Sequence, residues 1–207
     1  MTGLLPLIEW VGVAVFALTG ALVAARKGMD PFGFVLLGTV TGIGGGTLRD
    51  VLLGARPVAW IMDPTVVLIC TAVSLAAFVS AHHFEREGRA RTLLWADALG
   101  LALFAITGTA TALASGAPPV SAVLLGVVTA TFGGIIRDIL AGDVPLVLRR
   151  DVYVTAALAG STAFTAAMAV LPLEVAAVLG FVVGFGLRAL AILRGWSLPQ
   201  YGQRADE

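Results

Sequence analysis

The chain carries most of its information twice. Residues 12–66 lie without a gap over residues 100–154, an offset of 88, with about 24 identities. Phe16-Ala17-Leu18-Thr19-Gly20 answers Phe104-Ala105-Ile106-Thr107-Gly108, and Leu36-Leu37-Gly38 answers Leu124-Leu125-Gly126. Gly45-Gly46-Thr47-Leu48-Arg49-Asp50 answers Gly133-Gly134-Ile135-Ile136-Arg137-Asp138, and Gly54, Pro57 and Asp63 answer Gly142, Pro145 and Asp151. An apolar chain produces chance matches among Leu, Ala and Gly. It does not align arginine–aspartate pairs, prolines and a capping aspartate. The fold must therefore be one that a single unit can build in two copies.

The unit is a membrane unit. Of the 207 residues, 58% are apolar and 13% charged, the latter about half the share of a soluble domain. Mean hydropathy is +0.97. This composition excludes a disordered chain, a nucleic-acid binder and an ordinary cytosolic enzyme. Cys70 stands alone, which removes an intrachain disulfide and a cysteine-based metal site. A bilayer-spanning helix needs about 20 apolar residues. Seven spans are predicted, at about 5–25, 32–54, 60–81, 93–113, 120–142, 151–170 and 173–193. The first does not read as an obvious signal peptide: it lacks a basic n-region and has a counterpart later in the chain. Pro31, Pro64 and Pro118-Pro119 stand at span starts, where a missing N–H costs little, and Asp30, Asp63 and Asp151 stand where N-caps would. Residues 1–207 thus read as one all-α transmembrane domain: a first repeat at about 5–81, a second at about 93–170, and an extra helix at about 173–193.

Three spans per copy make the second copy enter the membrane from the opposite side. The expectation is an inverted 3+3 repeat about a pseudo-twofold axis in the membrane plane, plus a seventh helix. Basic residues set the orientation. Alternate loops give Arg26, Lys27, Arg86, Arg89, Arg91, Arg149, Arg150, Arg194 and Arg204 to one side and little beyond Arg56 to the other. The rich side is read as cytoplasmic, with the N-terminus outside and the C-terminus inside.

Clustered glycines interrupt two spans at matching depth: Gly44, Gly45 and Gly46 in span 2, and Gly133 and Gly134 in span 5, with Phe132 in place of a third glycine. Each interior glycine weakens a helix by about 1 kcal/mol against alanine. The expectation is a pair of kinked or unwound helices whose freed backbone lines a path. Close helix packing is the competing account, since Gly38, Gly42 and Gly46 form a small-xxx-small ladder. Arg49, Asp50, Arg137 and Asp138 are charges inside apolar spans, costing about 2.5–3.5 kcal/mol each on insertion scales. Such charges pair or face water. Neighbours in sequence do not face each other on a helix, so each is expected to find its partner on another span. Thr41 and Thr129, one turn before the glycines, are candidate lining residues. Glu9 and Asp97 are equivalents near span starts and are read as helix N-terminal charges, with acidic vestibules as the competing account. His82 and His83 are read as surface residues, Cys70 as a buried apolar one. Gly180 and Gly184 are compatible with an oligomer contact. Nothing resembles a nucleotide loop, a catalytic triad or a redox site, so no enzyme activity is expected.

The duplicated three-span unit with Gly44-Gly45-Gly46-Thr47-Leu48-Arg49-Asp50 and Phe132-Gly133-Gly134-Ile135-Ile136-Arg137-Asp138, followed by a seventh span, resembles the prokaryotic branch of the trimeric intracellular cation (TRIC) channel family over nearly the whole chain. The resemblance implies a homotrimer in a prokaryotic inner membrane, surrounded by membrane lipid, with one pore per protomer. It implies passive permeation of monovalent cations, mainly potassium, with no cofactor and no resident metal. It implies spans 2 and 5 kinked at their glycines beside the pore, with Gly44, Gly45, Gly46, Gly133, Gly134, Arg49, Asp50, Arg137 and Asp138 at the pathway. Phe132 departs from a full glycine triplet and would narrow the second half. The same bacterial family also carries the label of a glycine transporter, a carrier built on the same inverted-repeat site. On the pore reading, Leu at Gly45 or Gly134 blocks permeation and leaves assembly intact; on the packing reading it destroys the oligomer.

Overall fold

The computed structural model describes residues 4–80 and 86–199. His82, His83, Glu85 and Arg204 lie outside them. The described chain is all-helical: α1 (Leu4–Lys27), α2 (Pro31–Leu52), a one-turn α3 (Ala59–Met62), α4 (Thr65–Ser80), α5 (Arg86–Ala114), α6 (Pro119–Leu140), a 3-10 turn (Leu146–Leu148), α7 (Val154–Ala167) and α8 (Leu173–Arg194). Two long helices, a short turn and a shorter helix thus recur in the same order. α1 packs on α2 and α4 as α5 packs on α6 and α7, and α2 on α4 as α6 on α7. α8 has no counterpart among the described residues and lies against α5 and α7.

Local chemistry sets the boundaries. Asp30 caps α2 by accepting from the Gly33 N–H at 2.8 Å, with Pro31 in the first turn. Pro119 likewise stands in the first turn of α6, after Pro118, which makes no side-chain cap bond. The other two expected caps differ. Asp63 precedes the cap position of α4 and accepts from the Thr65 N–H at 3.0 Å. Asp151 caps nothing: its carboxylate pairs with Arg188 of α8, and Tyr153 precedes α7.

Among the described residues five helices are long and apolar enough to cross a bilayer: Leu5–Lys27, Pro31–Leu52, Ala90–Ala114, Pro119–Leu140 and Leu173–Arg194. The third helix of each repeat is shorter. α4 has 16 residues and α7 has 14, reaching about 24 and 21 Å at 1.5 Å per residue, against a hydrocarbon core of about 30 Å. Each is preceded by a separate turn, α3 or the 3-10 turn. The interruption expected at the glycines sits here instead, where Pro57, Pro64 and Pro145 withhold N–H groups.

The core joins the halves through equivalent residues. Phe16 and Phe104 meet edge to face with centroids 5.1 Å apart. Gly100 admits the Phe16 ring, and Gly12 admits that of Phe104.

Candidate functional site

The site is built on the crossing of α2 and α6. Both helices run without a break through Gly44–Gly46 and Gly133–Gly134. The expected unwound turn is therefore absent, because two of these glycines are taken up by contact. A Cβ on Gly45 would stand 2.0 Å from the Thr129 carbonyl oxygen, and one on Gly133 would stand 2.2 Å from that of Thr41. The two contacts are each other's equivalents under the sequence offset. Close approach of backbones through glycine is the usual device of helix pairs in membranes.

Just beyond the crossing, each helix ends on its arginine and aspartate. Arg49 donates from Nε at 2.9 Å and from an Nη at 2.8 Å to one carboxylate oxygen of Asp50. Arg137 donates from Nε to Asp138 at 2.8 Å. The neighbours thus pair with each other, which helix faces did not lead one to expect, because the long arginine chain bends its guanidinium back along the helix end; Arg137 also finds the expected partner on another span, Asp97 of α5. The second carboxylate oxygen accepts from the turn that follows: from the Ala59 N–H at 3.1 Å for Asp50, and from the Leu146 N–H at 3.3 Å for Asp138. Each Arg–Asp pair therefore fixes the short turn that leads into the third helix of its repeat.

The two ends differ in what surrounds the pair. At the first, Glu9, Trp10, Gly46, Thr47, Arg49, Asp50, Trp60 and Asp63 line a cavity of about 110 Å³ that reaches inward to Phe104 and Thr129, room for several waters. Three carboxylates face one guanidinium, so the cavity favours cations. Trp60 donates its indole N–H to Thr47 at 3.1 Å and holds α3 over the mouth. The Thr65 hydroxyl and then its backbone N–H hold the Asp63 carboxyl below its ordinary value of 3.8. At the second end the equivalent residues are drawn together. Arg137 also donates to Asp97 at 2.8 Å and to the Thr19 hydroxyl at 3.0 Å. Asp97 is 1% exposed and Arg137 2%, and Tyr153 completes the cluster.

Comparisons with known proteins follow the same division. The profile of a family described as "Glycine transporter" matches twice, over residues 6–82 and 94–169. The chain is 40% identical over 200 residues to UPF0126 inner membrane protein YadS of Escherichia coli strain K12, covering 94% of this chain and 96% of that one. It is 38% identical over 160 residues to UPF0126 membrane protein YvgT of Bacillus subtilis, covering 74% and 76%. Among solved structures it matches the TRIC trimeric intracellular cation channel orthologue from Rhodobacter sphaeroides with 51% identity and a TM-score of 0.89, over 93% of this chain and 98% of that one. The chain belongs to the TRIC channel family. A second TRIC channel, from work on the structural basis of conductance, matches with 36% identity and a TM-score of 0.85, over 97% of this chain and 98% of that one.

In this TRIC family member the candidate residues divide. Gly46, Arg49, Asp50 and Thr129 line the first cavity. Gly45, Gly133 and Thr41 form the crossing, Gly44 packs against Ile136, and Gly134 stands beside Tyr153 and Arg137. Arg137 and Asp138 belong to the sealed cluster. Phe132 lies outside the residues that line the cavity. Thr41 and Thr129 both donate to their own helix, to Leu37 and Leu125 carbonyls. Gly180 and Gly184 pack on Gly160 inside the protomer, so α7 takes up the surface that suggested an oligomer contact. Glu9 lines the cavity, as an acidic vestibule residue would, rather than only closing a helix start. Three residues were passed over in the sequence. Trp60 carried no signal. Tyr153 and Arg188 sit in the sealed end; a lone arginine in the seventh apolar span is the signal that marks Arg188.

Proposed function

We propose that this protein is a cation channel, permeable to potassium and other monovalent cations, with one path per protomer of a homotrimer. The single observation that carries the reading is the first cavity: it is large enough to hold water, bears three carboxylates against one guanidinium, and runs from Glu9 to the α2–α6 crossing. The similar solved structures are named cation channels. In this reading the path passes between the two Arg–Asp pairs, open to water at the first and closed at the second by the Asp97–Arg137–Asp138 cluster. Asp50 with Glu9 concentrates cations, Arg49 limits their number at the mouth, and Arg137 is the barrier of the closed state. Gly44, Gly45, Gly133 and Gly134 let α2 and α6 approach closely enough to frame the path, with Thr41 and Thr129 at the crossing.

We further read the chain as seven spans in an inverted 3+3 repeat plus α8. The reciprocal contacts support this, because the Gly45–Thr129 and Gly133–Thr41 pairs exchange under the repeat. The α1–α2 turn and the end of α6 also share one face through Arg26, Lys27 and Asp143. The basic loops place that face in the cytoplasm, with the N-terminus outside.

The test is recording from purified protein in a planar bilayer with potassium as the only small cation. Discrete current steps with a reversal potential that follows the potassium gradient are expected. A glycine carrier is the second reading, favoured by the family's description and by a structure open at one end only. Silent bilayers together with saturable glycine uptake into liposomes from the same preparation would establish it instead.

A further inference from the structure

The two ends are made from equivalent positions but are filled differently. Thr65 and Tyr153 are counterparts, as are Gly46 and Gly134. At the first end Gly46 lines the cavity with Glu9, Arg49 and Asp50, and Thr65 is not among the lining residues. Where position 153 carries a phenol ring, the ring is 1% exposed and packs in the core with Leu101, Leu146, Val147 and Leu187. Its hydroxyl lies so near Gly134 that a Cβ there would be 3.2 Å away. That hydroxyl has no hydrogen-bond partner among the described residues. Tyr153 thus stands against Gly134 at one end, whereas its counterpart Gly46 faces the cavity at the other.

The side chain that holds it comes from outside the repeat. Arg188 of α8 places its guanidinium 5.4 Å from the Tyr153 ring centroid. It donates to the Asp151 carboxylate and to the Val152 carbonyl, both at 3.2 Å. One arginine therefore grips three consecutive residues, Asp151, Val152 and Tyr153. It is 1% exposed, and a charge at such depth in an apolar helix marks a working residue by default. Among the described residues the first repeat has no helix equivalent to α8.

We propose that Arg188 is a positioning residue for the closed state: from the unrepeated helix it holds Tyr153 as the plug of the second mouth. The inference rests on the channel reading above. With Arg188 engaged, the 151–153 segment keeps the ring against Gly134 and beside the Asp97–Arg137–Asp138 cluster. With that grip released, the ring is free to leave and the second mouth takes the form of the first. Arg188 acts on how often the path is open and not on what passes through it.

Single-channel recording of Arg188→Gln, Tyr153→Thr and the double variant tests this, each first confirmed as a trimer. Arg188→Gln is expected to raise the ratio of open to closed time by about tenfold or more, the factor equivalent to 1.4 kcal/mol. Unitary conductance and reversal potential stay at wild-type values. Tyr153→Thr gives the same increase, and Arg188→Gln adds nothing in its background. Arg188→Lys, which keeps the charge but loses the flat face, falls between. If Arg188→Gln yields no trimer, Tyr153→Thr alone carries the test. A wild-type ratio in the trimeric variants overturns the proposal, as does an Arg188→Gln effect that alters conductance or that persists undiminished in the Tyr153→Thr background. A wild-type chain that passes no current overturns the channel reading, and this inference with it.

Discussion

A single methyl group at Gly45 should do more damage than one at its neighbour Gly46. In Gly45→Ala the new Cβ would stand 2.0 Å from the Thr129 oxygen, 2.9 Å from its carbonyl carbon and 3.2 Å from its Cα. Ordinary contact begins at 3.4 Å, so α2 and α6 must part by more than about 1 Å. The obstacle is backbone, which has no rotamer to change. Overpacking of this kind costs about 1–3 kcal/mol, and a rigid backbone contact belongs at the upper end. Replacing a helical glycine by alanine returns about 1 kcal/mol. The net loss is about 2 kcal/mol, a factor of about 30 in the folded population. Gly46→Ala meets only an Arg49 nitrogen at 3.7 Å, keeps the propensity gain and loses nothing. The assay is denaturant unfolding of purified protein in a mild detergent, followed by tryptophan fluorescence. Gly133→Ala, with its Cβ at 2.2 Å from Thr41, should repeat the Gly45→Ala result. Equal stability of Gly45→Ala and wild type, or equal damage from Gly46→Ala, would refute the account of these glycines as contact residues.

Two further outcomes follow from the charges. Arg137→Gln leaves Asp97 and Asp138 buried without their counter-ion and should cost about 3–5 kcal/mol, read as loss of the folded oligomer on size exclusion. Arg49→Gln, at the hydrated mouth, should cost less, and adding Asp97→Asn to Arg137→Gln should recover part of the loss. At the basic face, the Lys27 hydrogen bond, with the charges of Arg26, Lys27 and Arg149, outweighs partial burial and holds the Asp143 carboxyl below its ordinary 3.8. Because the folded value is the lower one, this contribution is complete above 3.8 and fades as pH falls through the depressed folded value. Thermal unfolding of wild type against Asp143→Asn should differ by no more than about 1 kcal/mol near neutral pH, and the two should converge in acid.

Much of the scaffold was legible because the bilayer leaves few solutions. Apolar length located the long helices, the offset of 88 located the equivalent positions, and the Asp30 cap and Pro119 start fell where their chemistry requires. The glycines were harder to assign, since a glycine that weakens a helix and a glycine that admits a neighbour look alike in one dimension. Only the Thr129 and Thr41 carbonyls across the gap distinguish them. The Arg–Asp pairs were assigned in part: Arg137 has the expected partner on another span in Asp97, but the neighbour pairing was missed because the facing rule applies to Cβ positions, whereas a guanidinium reaches well beyond its own. Tyr153 and Arg188 gave no joint signal: they are 35 positions apart and meet only after α8 folds against α7.

The α2–α6 crossing has the form of a self-complementary dimer contact contained in one polypeptide. Two identical half-chains meeting there would be bound to have identical ends. Fusion into one chain lifts that restriction. The shared hinge keeps the same residues on both sides, Gly45 with Gly133 and Thr41 with Thr129, while the parts beyond it are free to drift apart. Thr65 stands where the second copy has Tyr153, and α8 sets Arg188 against the second copy. Two copies of one unit thereby build a molecule whose two ends carry different side chains around the same Arg–Asp pair.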